Sequence, residues 1–202
     1  MTNRTEARPE AVTSFIDAAR ILFQSPRLPV GGRAVASRVF ERLQTVSNDG
    51  KRHSERYPVC KWIAPALAKL IDEPTPMGDA ARAIIVLEPE LGQARRTSGT
   101  NGSAHYIDNH VNAMICGPGG TESRYDVQLG FTIMAPETRY PDHGHPPEEA
   151  YVLFTPGEFR QNDGDWFDPG IGGGIHNAPN AIHAVRSHAE PFLAIWCLLI
   201  EK

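Results

Sequence analysis

The stretch that most constrains the fold of this chain runs His143-Gly144-His145-Pro146-Pro147-Glu148-Glu149-Ala150-Tyr151. Alternate residues of a β-strand share a face, so His143 and His145 can point the same way, and Glu149 and Tyr151 can do so beyond the two prolines. Imidazole, carboxylate and phenol groups bind divalent metals or act as acids and bases beside them. With the later His183 they predict a metal site, which we favour over a polar loop with scattered histidines.

The composition is that of a globular protein with 202 residues, 41% of them hydrophobic and 22% charged, which suits one domain. The net charge of −4 predicts no basic surface for nucleic acid. No apolar run is long enough to span a membrane, and the polar N-terminus lacks a signal-like apolar core. We therefore expect a cytoplasmic protein. Its cysteines are too few and too widely spaced for a disulfide framework: Cys60, Cys116 and Cys197.

The first 76 residues predict a helical section that packs on the rest of the protein. Apolar residues recur with three-four spacing between Pro9 and Pro26, which is typical of an amphipathic helix. Two further helices are expected over about 33–46 and 62–71, the second ending before Pro74.

Residues 77–202 have a different sequence pattern, in which short β-like runs alternate with Gly, Pro, Asn and Asp. This pattern predicts an antiparallel sandwich or barrel, and thus a mainly β fold with N-terminal helices. The expected strands cover Ala83–Val86, Ala113–Cys116, Val127–Met134, Ala150–Phe154, Ala181–Val185 and Phe192–Ile200. The glycine-dense run 170–174 lacks the Lys-Ser/Thr ending of a phosphate-binding loop, so we interpret it as a tight turn.

This second section resembles the cupin superfamily. The first cupin motif is matched by His143, His145, Glu149 and Gly157, although the glycine comes later than usual. The second motif is matched by Pro179 and His183, without the usual glycine between them. The resemblance implies a single cupin domain, the double-stranded β-helix or jelly-roll barrel.

Within that superfamily, the helical section and the tyrosine two residues after the motif glutamate resemble the cupin-type dimethylsulfoniopropionate (DMSP) lyases of the DddQ branch, with the DddL type as a relative. The resemblance implies one divalent transition metal per chain, with Zn, Fe and Mn as the main candidates. By motif position its ligands would be His145, Glu149, Tyr151 and His183. His143 is either a further ligand or a neighbour of the ligands, and Tyr140 matches a second active-site tyrosine.

The implied reaction splits DMSP into dimethyl sulfide and acrylate by base-catalysed β-elimination. Tyr151 is a candidate base because a nearby cation lowers the pKa of a phenol. Tyr140 could take that role instead or hold the substrate. Aromatic faces can bind the sulfonium cation, and the candidates are Trp166, Phe131, Tyr140 and Trp196, of which Phe131 and Trp196 lie in runs more typical of a core.

The residues leave other functions open. A different metal-dependent cupin enzyme, such as a dioxygenase or an isomerase, would use the same ligands, and a non-catalytic cupin could bind a small ligand. In each case we expect a small zwitterionic or carboxylate partner and a monomer or homodimer.

Overall fold

A computed structural model describes residues 8–47, 50 and 56–201. Its helices precede its strands along the chain. The α-helices are α1 (Glu10–Phe23), α2 (Val30–Arg42), α3 (Ile63–Leu67) and α4 (Pro76–Leu87), with 3-10 turns at Pro58–Trp62 and Glu88–Glu90. No helix of this described part is long and apolar enough to cross a membrane.

The predicted N-terminal helix is confirmed as α1. Its buried side chains recur at helical spacing, and Glu10 lies in the first turn, where a carboxylate interacts favourably with the helix dipole. The second helix begins earlier than predicted because Pro29 precedes its first residue, Val30, with a suitable backbone conformation. In the third region only Ile63–Leu67 is α-helical, and a 3-10 turn precedes it.

Helix α4 corrects the predicted strand over Ala83–Val86. Thr75 caps the helix by accepting a hydrogen bond from the Gly78 amide, and Pro76 occupies the first turn. A four-residue apolar run does not distinguish a strand from a buried helical segment, and here the cap and the following spacing decide for the helix. The division of the chain at residues 76 and 77 stays a proposal.

Five predicted strands are confirmed, and four others were not predicted. The strands are β1 (Gly92–Ala94), β2 (His110–Cys116), β3 (Val127–Met134), β4 (Arg139–His143), β5 (Glu148–Leu153), β6 (Glu158–Gln161), β7 (His176–Asn177), β8 (His183–Arg186) and β9 (Phe192–Leu199). The unpredicted ones are the short or strongly polar strands β1, β4, β6 and β7.

The strands form two antiparallel sheets, with orders β1-β2-β3-β9-β5-β7 and β4-β8-β6. The described ladders do not join into one closed barrel. The mainly β fold with N-terminal helices is as predicted.

Each strand of the large sheet has two different faces. Along β3, Leu129, Phe131 and Ile133 pack in the core shared with the helices. Met134 at the end of the strand belongs to a second, smaller core between the two sheets, together with Phe159 of β6. The polar cluster described next lies beside this smaller core.

Candidate metal and active site

Three strands and the turn before one of them bring the polar side chains of the 143–151 stretch and His183 together. Strand β4 carries Tyr140 and His143, and its partner β8 places His183 directly opposite His143. Strand β5 carries Glu149 and Tyr151 on one face, with Ala150 between them facing the helices. The alternation expected from the sequence is therefore observed.

The three histidines form a cluster of potential metal ligands. One ring nitrogen of each lies within 4.8 Å of a ring nitrogen of the others. The ring centroids of His143 and His183 are 4.1 Å apart, and those of His145 and His183 are 5.1 Å apart.

The same local contact orients all three imidazoles. Each Nδ1 lies 2.8–3.0 Å from a backbone carbonyl two residues away in the chain, and the carbonyls belong to Pro141, Pro147 and Ala181. A carbonyl only accepts hydrogen bonds, so Nδ1 carries a proton, and in the neutral imidazole Nε2 then keeps its lone pair. This is the tautomer that a metal-binding histidine needs.

Glu149 is the acidic centre of this cluster. Its Oε2 lies 3.2 Å from Nε2 of His145 and 3.3 Å from Nε2 of His183, and the same oxygen accepts a 2.9 Å hydrogen bond from Asn177. Burial would raise the pKa of this carboxyl, but His145 and His183 outweigh it and lower the pKa. Glu149 is therefore an ionised ligand candidate.

Two further features fit a bound cation. Nε2 of His183 is buried and, although it lies 3.3 Å from Glu149 Oε2, it makes no well-aligned hydrogen bond with any described residue, an expensive arrangement unless another group binds there. Burial, helped by the charges of His183 and Arg96, lowers the pKa of His143 to about 3, which keeps its imidazole neutral. Burial lowers the pKa of His145, but the hydrogen bond and charge of Glu149 outweigh it and raise the pKa. A neutral imidazole beside an ionised carboxylate is suited to a borderline divalent metal.

Tyr151 lies beside Glu149. Burial and the Glu149 charge raise the pKa of the phenol well above its ordinary value. The structure thus brings together His143, His145, Glu149, Tyr151 and His183, all the residues of the predicted ligand set. Which of them bind a metal stays a prediction.

A narrow cavity lies against this cluster, with about 10 Å³ of free space, roughly the size of one water molecule. A substrate can enter only if the surrounding side chains move. Its walls combine polar and aromatic groups: Thr132, Tyr140, His143, Tyr151, Phe159, His183, Val185 and Phe192. The motif glycine Gly157 lies against the Phe192 ring, where any larger side chain would collide with it.

Tyr140 crosses the space between the two sheets. Its hydroxyl accepts a 3.1 Å hydrogen bond from Asn112 of β2. Burial raises the pKa of Tyr140, and contacts from Asn112 and Arg96 oppose this. The edge of its ring meets His110, whose Nε2 accepts a hydrogen bond from the Arg96 amide.

Arg96 was not predicted as a site residue. Its charge lowers the pKa of groups around the cavity, including His143, Tyr140 and Tyr151. No carboxylate of the described residues pairs with its guanidinium, whereas the neighbouring Arg95 pairs with Asp108 and stacks on Tyr57. The adjacent arginines were visible in the sequence, but nothing there indicated which one faces the site.

Comparison with known proteins agrees with this geometry. Residues 31–194 match the profile of the dimethylsulfoniopropionate lyase family. The chain belongs to the DMSP lyase family. Membership makes it an enzyme of the carbon–sulfur lyase class, as predicted. Among curated protein sequences, none matches this chain.

Two solved DMSP lyase structures are similar to this family member. A chain from the crystal structures of the DMSP lyases RdDddP and RnDddQII superposes with a TM-score of 0.66 and 17% identity, covering 94% of this chain and 92% of that one. The DMSP lyase DddQ from Ruegeria pomeroyi DSS-3 gives a TM-score of 0.64 at 17% identity, with 96% and 93% covered. At this identity the likeness concerns the fold alone, which in this chain is two antiparallel sheets preceded by helices.

Not all the predicted sulfonium-binding residues of this DMSP lyase family member lie at the site. Trp166 is not brought to the site, because it lies against the outer face of the small sheet, where Arg139, Arg160 and Arg186 stack on its ring. Phe131 also lies elsewhere, fully buried in the core shared with the helices.

Trp196 is close to the site without lining it. Its indole nitrogen donates to Thr132, which is part of the cavity wall. Of the four predicted sulfonium-binding residues, only Tyr140 borders the cavity itself. Phe159 and Phe192 do so as well, although neither was predicted.

Proposed function

We propose that this protein is a metal-dependent lyase that cleaves DMSP to dimethyl sulfide and acrylate by β-elimination. One observation carries the proposal: three histidines with fixed tautomers and an ionised Glu149 converge beside two tyrosines in a cavity with aromatic walls. Family membership supports the choice of substrate.

His145, Glu149, Tyr151 and His183 are the proposed metal ligands, and His143 is a possible fifth. A divalent metal held by them would supply positive charge that lowers the pKa of Tyr151 and offsets negative charge on the substrate carboxylate. The nitrogen and oxygen donors suit Zn, Fe and Mn alike.

Tyr151 acts as the base in this proposal, with Tyr140 as the alternative. The phenolate oxygen takes the proton from the carbon next to the substrate carboxylate. The electron pair of that C–H bond forms the carbon–carbon double bond of acrylate, while the carbon–sulfur bond breaks. Its electrons leave with sulfur, so the departing dimethyl sulfide is neutral and needs no acid.

DMSP carries a negative carboxylate and a positive sulfonium group. The cavity offers a positive charge for the first and aromatic rings for the second. Arg96 is the proposed partner of the substrate carboxylate, because its charge acts on Tyr140, His143 and Tyr151 and no described carboxylate pairs with it. The rings of Phe159 and Phe192 are the proposed contacts of the sulfonium, since aromatic faces attract cations.

The decisive assay incubates metal-loaded protein with DMSP in the absence of oxygen. Release of dimethyl sulfide and acrylate in equal amounts is expected, and a dioxygenase would give no product under these conditions. The variant His183→Ala should lose both metal and activity, whereas His188→Ala, which changes an exposed histidine, should keep both. Absence of product from the metal-loaded wild type contradicts the proposal.

A further inference from the structure

A chain of hydrogen bonds runs through the inner face of the large sheet and ends on Tyr140. Trp196 Nε1 lies 3.0 Å from Thr132 Oγ1, which lies 2.6 Å from Asn112 Oδ1. Asn112 Nδ2 lies 3.1 Å from the Tyr140 hydroxyl. The chain thus links strands β9, β3 and β2 of one sheet to β4 of the other.

The chemistry of its first member gives this chain a direction. An indole nitrogen only donates, so Thr132 Oγ1 must accept from Trp196 and has its own proton left to donate. That proton goes to the carbonyl oxygen of the Asn112 side chain, which leaves the amide nitrogen facing Tyr140. The phenolic oxygen of Tyr140 is therefore an acceptor.

Burial makes this direction hard to reverse. Thr132, Trp196 and Tyr140 are at most 5% exposed, and a buried polar group that loses its partner costs about 1–3 kcal/mol. Gly130 lies opposite Trp196 across the ladder and leaves room for the indole ring, which any other side chain would fill. The pairing of Trp196 with Gly130 therefore fixes the position of the indole ring in the sheet.

We propose that Asn112 is a positioning residue that keeps the Tyr140 oxygen as an acceptor, so that the Tyr140 proton points into the cavity and is donated to the substrate carboxylate. The inference rests on the proposed function, because it assigns Tyr140 to the substrate of that reaction. The positive charge of Arg96 also acts on this hydroxyl and opposes the rise in its pKa. With Asn112 donating to its oxygen, Tyr140 has its own proton available for another group.

The competing explanation is that the chain only ties the two sheets together. In that case any change to it would lower stability and activity in parallel. A positioning role instead predicts that kcat falls when the direction of the Asn112–Tyr140 hydrogen bond is reversed. This loss should occur even when the shape of the side chain and the contact between the two sheets are kept.

The test uses Asn112→Asp, which keeps the shape but turns the donor into an acceptor for the Tyr140 proton. We expect kcat for DMSP to fall about 100-fold, the usual effect of losing one preorganised donor, with a smaller change in KM. Thr132→Val, which frees the Asn112 amide to rotate, should lower kcat as well, and Thr132→Ser should restore most of it. The control Asn162→Asp makes the same charge change at an exposed turn.

A second readout does not depend on turnover. The tyrosine doublet in ultraviolet resonance Raman spectra distinguishes a phenol that accepts from one that donates, and subtracting the Tyr140→Phe spectrum isolates Tyr140. The wild type should show an acceptor and Asn112→Asp a donor.

The outcomes separate this inference from the proposed function. An inactive wild type would contradict the proposed function, while the Raman comparison would still decide the direction of the hydrogen bond. An active wild type with unchanged kcat or an unchanged Tyr140 signal in Asn112→Asp overturns the positioning role. So does a loss of kcat in Thr132→Ser equal to that in Thr132→Val.

Discussion

At the scale of single residues, the two tyrosines of the site differ in what surrounds their oxygens. Tyr140 receives a hydrogen bond from Asn112 and the charge of Arg96 favours its ionisation, whereas Tyr151 lies against the Glu149 carboxylate. The carboxylate opposes ionisation of Tyr151, so its use as a base depends on a cation beside it. The two side chains thus have separable roles at one cavity.

The base assignment predicts that Tyr151→Phe lowers kcat by a factor of about 10²–10⁴, the usual contribution of a general base. Metal content should change far less than activity, because histidines and Glu149 remain. The exposed Tyr125→Phe is the matched control. Retained turnover in Tyr151→Phe, with turnover lost in Tyr140→Phe, would move the base role to Tyr140.

The role of Arg96 predicts that Arg96→Met raises KM for DMSP about 10- to 100-fold, since a hydrogen bond to a charged group contributes about 1.5–3 kcal/mol. Arg95→Met removes the same charge from the neighbouring residue, whose partners are Asp108 and Tyr57, and should leave KM unchanged. Steady-state kinetics of both variants check this, and equal KM values would remove Arg96 from the substrate site.

The residues of the motif could be predicted from the sequence, and their supporting partners could not. His143, His145, Glu149 and Tyr151 are close in sequence, and strand alternation brings them together. Asn112 and Arg96 reach Tyr140 only through pairings between distant strands and loops. Trp166 was predicted from its place in the turn-rich region, and the structure places its ring against arginines from three strands of the small sheet, away from the cavity.

At the scale of elements, a buried ion cluster fastens helix α2 and the chain before α1 to the large sheet. Glu122, 3% exposed, follows β2 and contacts Arg8 and Arg124. Arg124 also donates to the carbonyl of Arg42 at the end of α2. Losing one partner of a buried pair leaves the other charge uncompensated.

Glu122→Gln should therefore lower the free energy of unfolding by about 3–5 kcal/mol at neutral pH. Burial raises the pKa of Glu122, but Arg8, Ser47 and Arg124 outweigh it and lower the pKa. A lowered pKa contributes stability above the ordinary pKa of glutamate, and this contribution is lost as the pH falls towards the folded-state pKa.

Urea unfolding of Glu122→Gln and wild type between pH 7 and pH 3 measures this difference, which should narrow in acid. The exposed Glu190→Gln is the control and should behave as the wild type does. A difference that stays constant with pH would show that the charge of Glu122 is not what stabilises this junction.

The elements also show where sequence patterns are ambiguous. The alternating and apolar strands β3 and β9 were predicted with nearly their observed bounds. Strand β4, with two charged residues, a proline and a histidine in five positions, carries no apolar alternation. Its place is set by pairing with β8, and this is why the strand that holds Tyr140 and His143 was not predicted.

At the scale of the whole molecule, the proposed metal joins the two sheets, because its ligands come from β4, β5 and β8 and the turn before β5. A ligand that binds only the folded state stabilises it by about 2.7 kcal/mol at 100 times its dissociation constant. Metal removal should thus lower the unfolding midpoint by several degrees, at roughly 2–4 °C per kcal/mol for a protein of this size.

Thermal unfolding with and without a chelator, followed by readdition of Zn, Fe or Mn, measures this effect. The rise on metal addition should vanish in His183→Ala and persist in His188→Ala. An identical midpoint for the chelated and metal-loaded wild type would contradict the metal site.

The contact between each site imidazole and a carbonyl two residues away has a consequence for how this enzyme can change. Ligand orientation is inherited with two short segments, Pro141–Glu149 and Ala181–His183, and does not depend on the opposite wall. Residues of that wall, such as Phe159 and Phe192, can therefore be substituted without changing the orientation of the imidazoles. In this fold, new substrate preferences can evolve without changes in the proposed metal ligands.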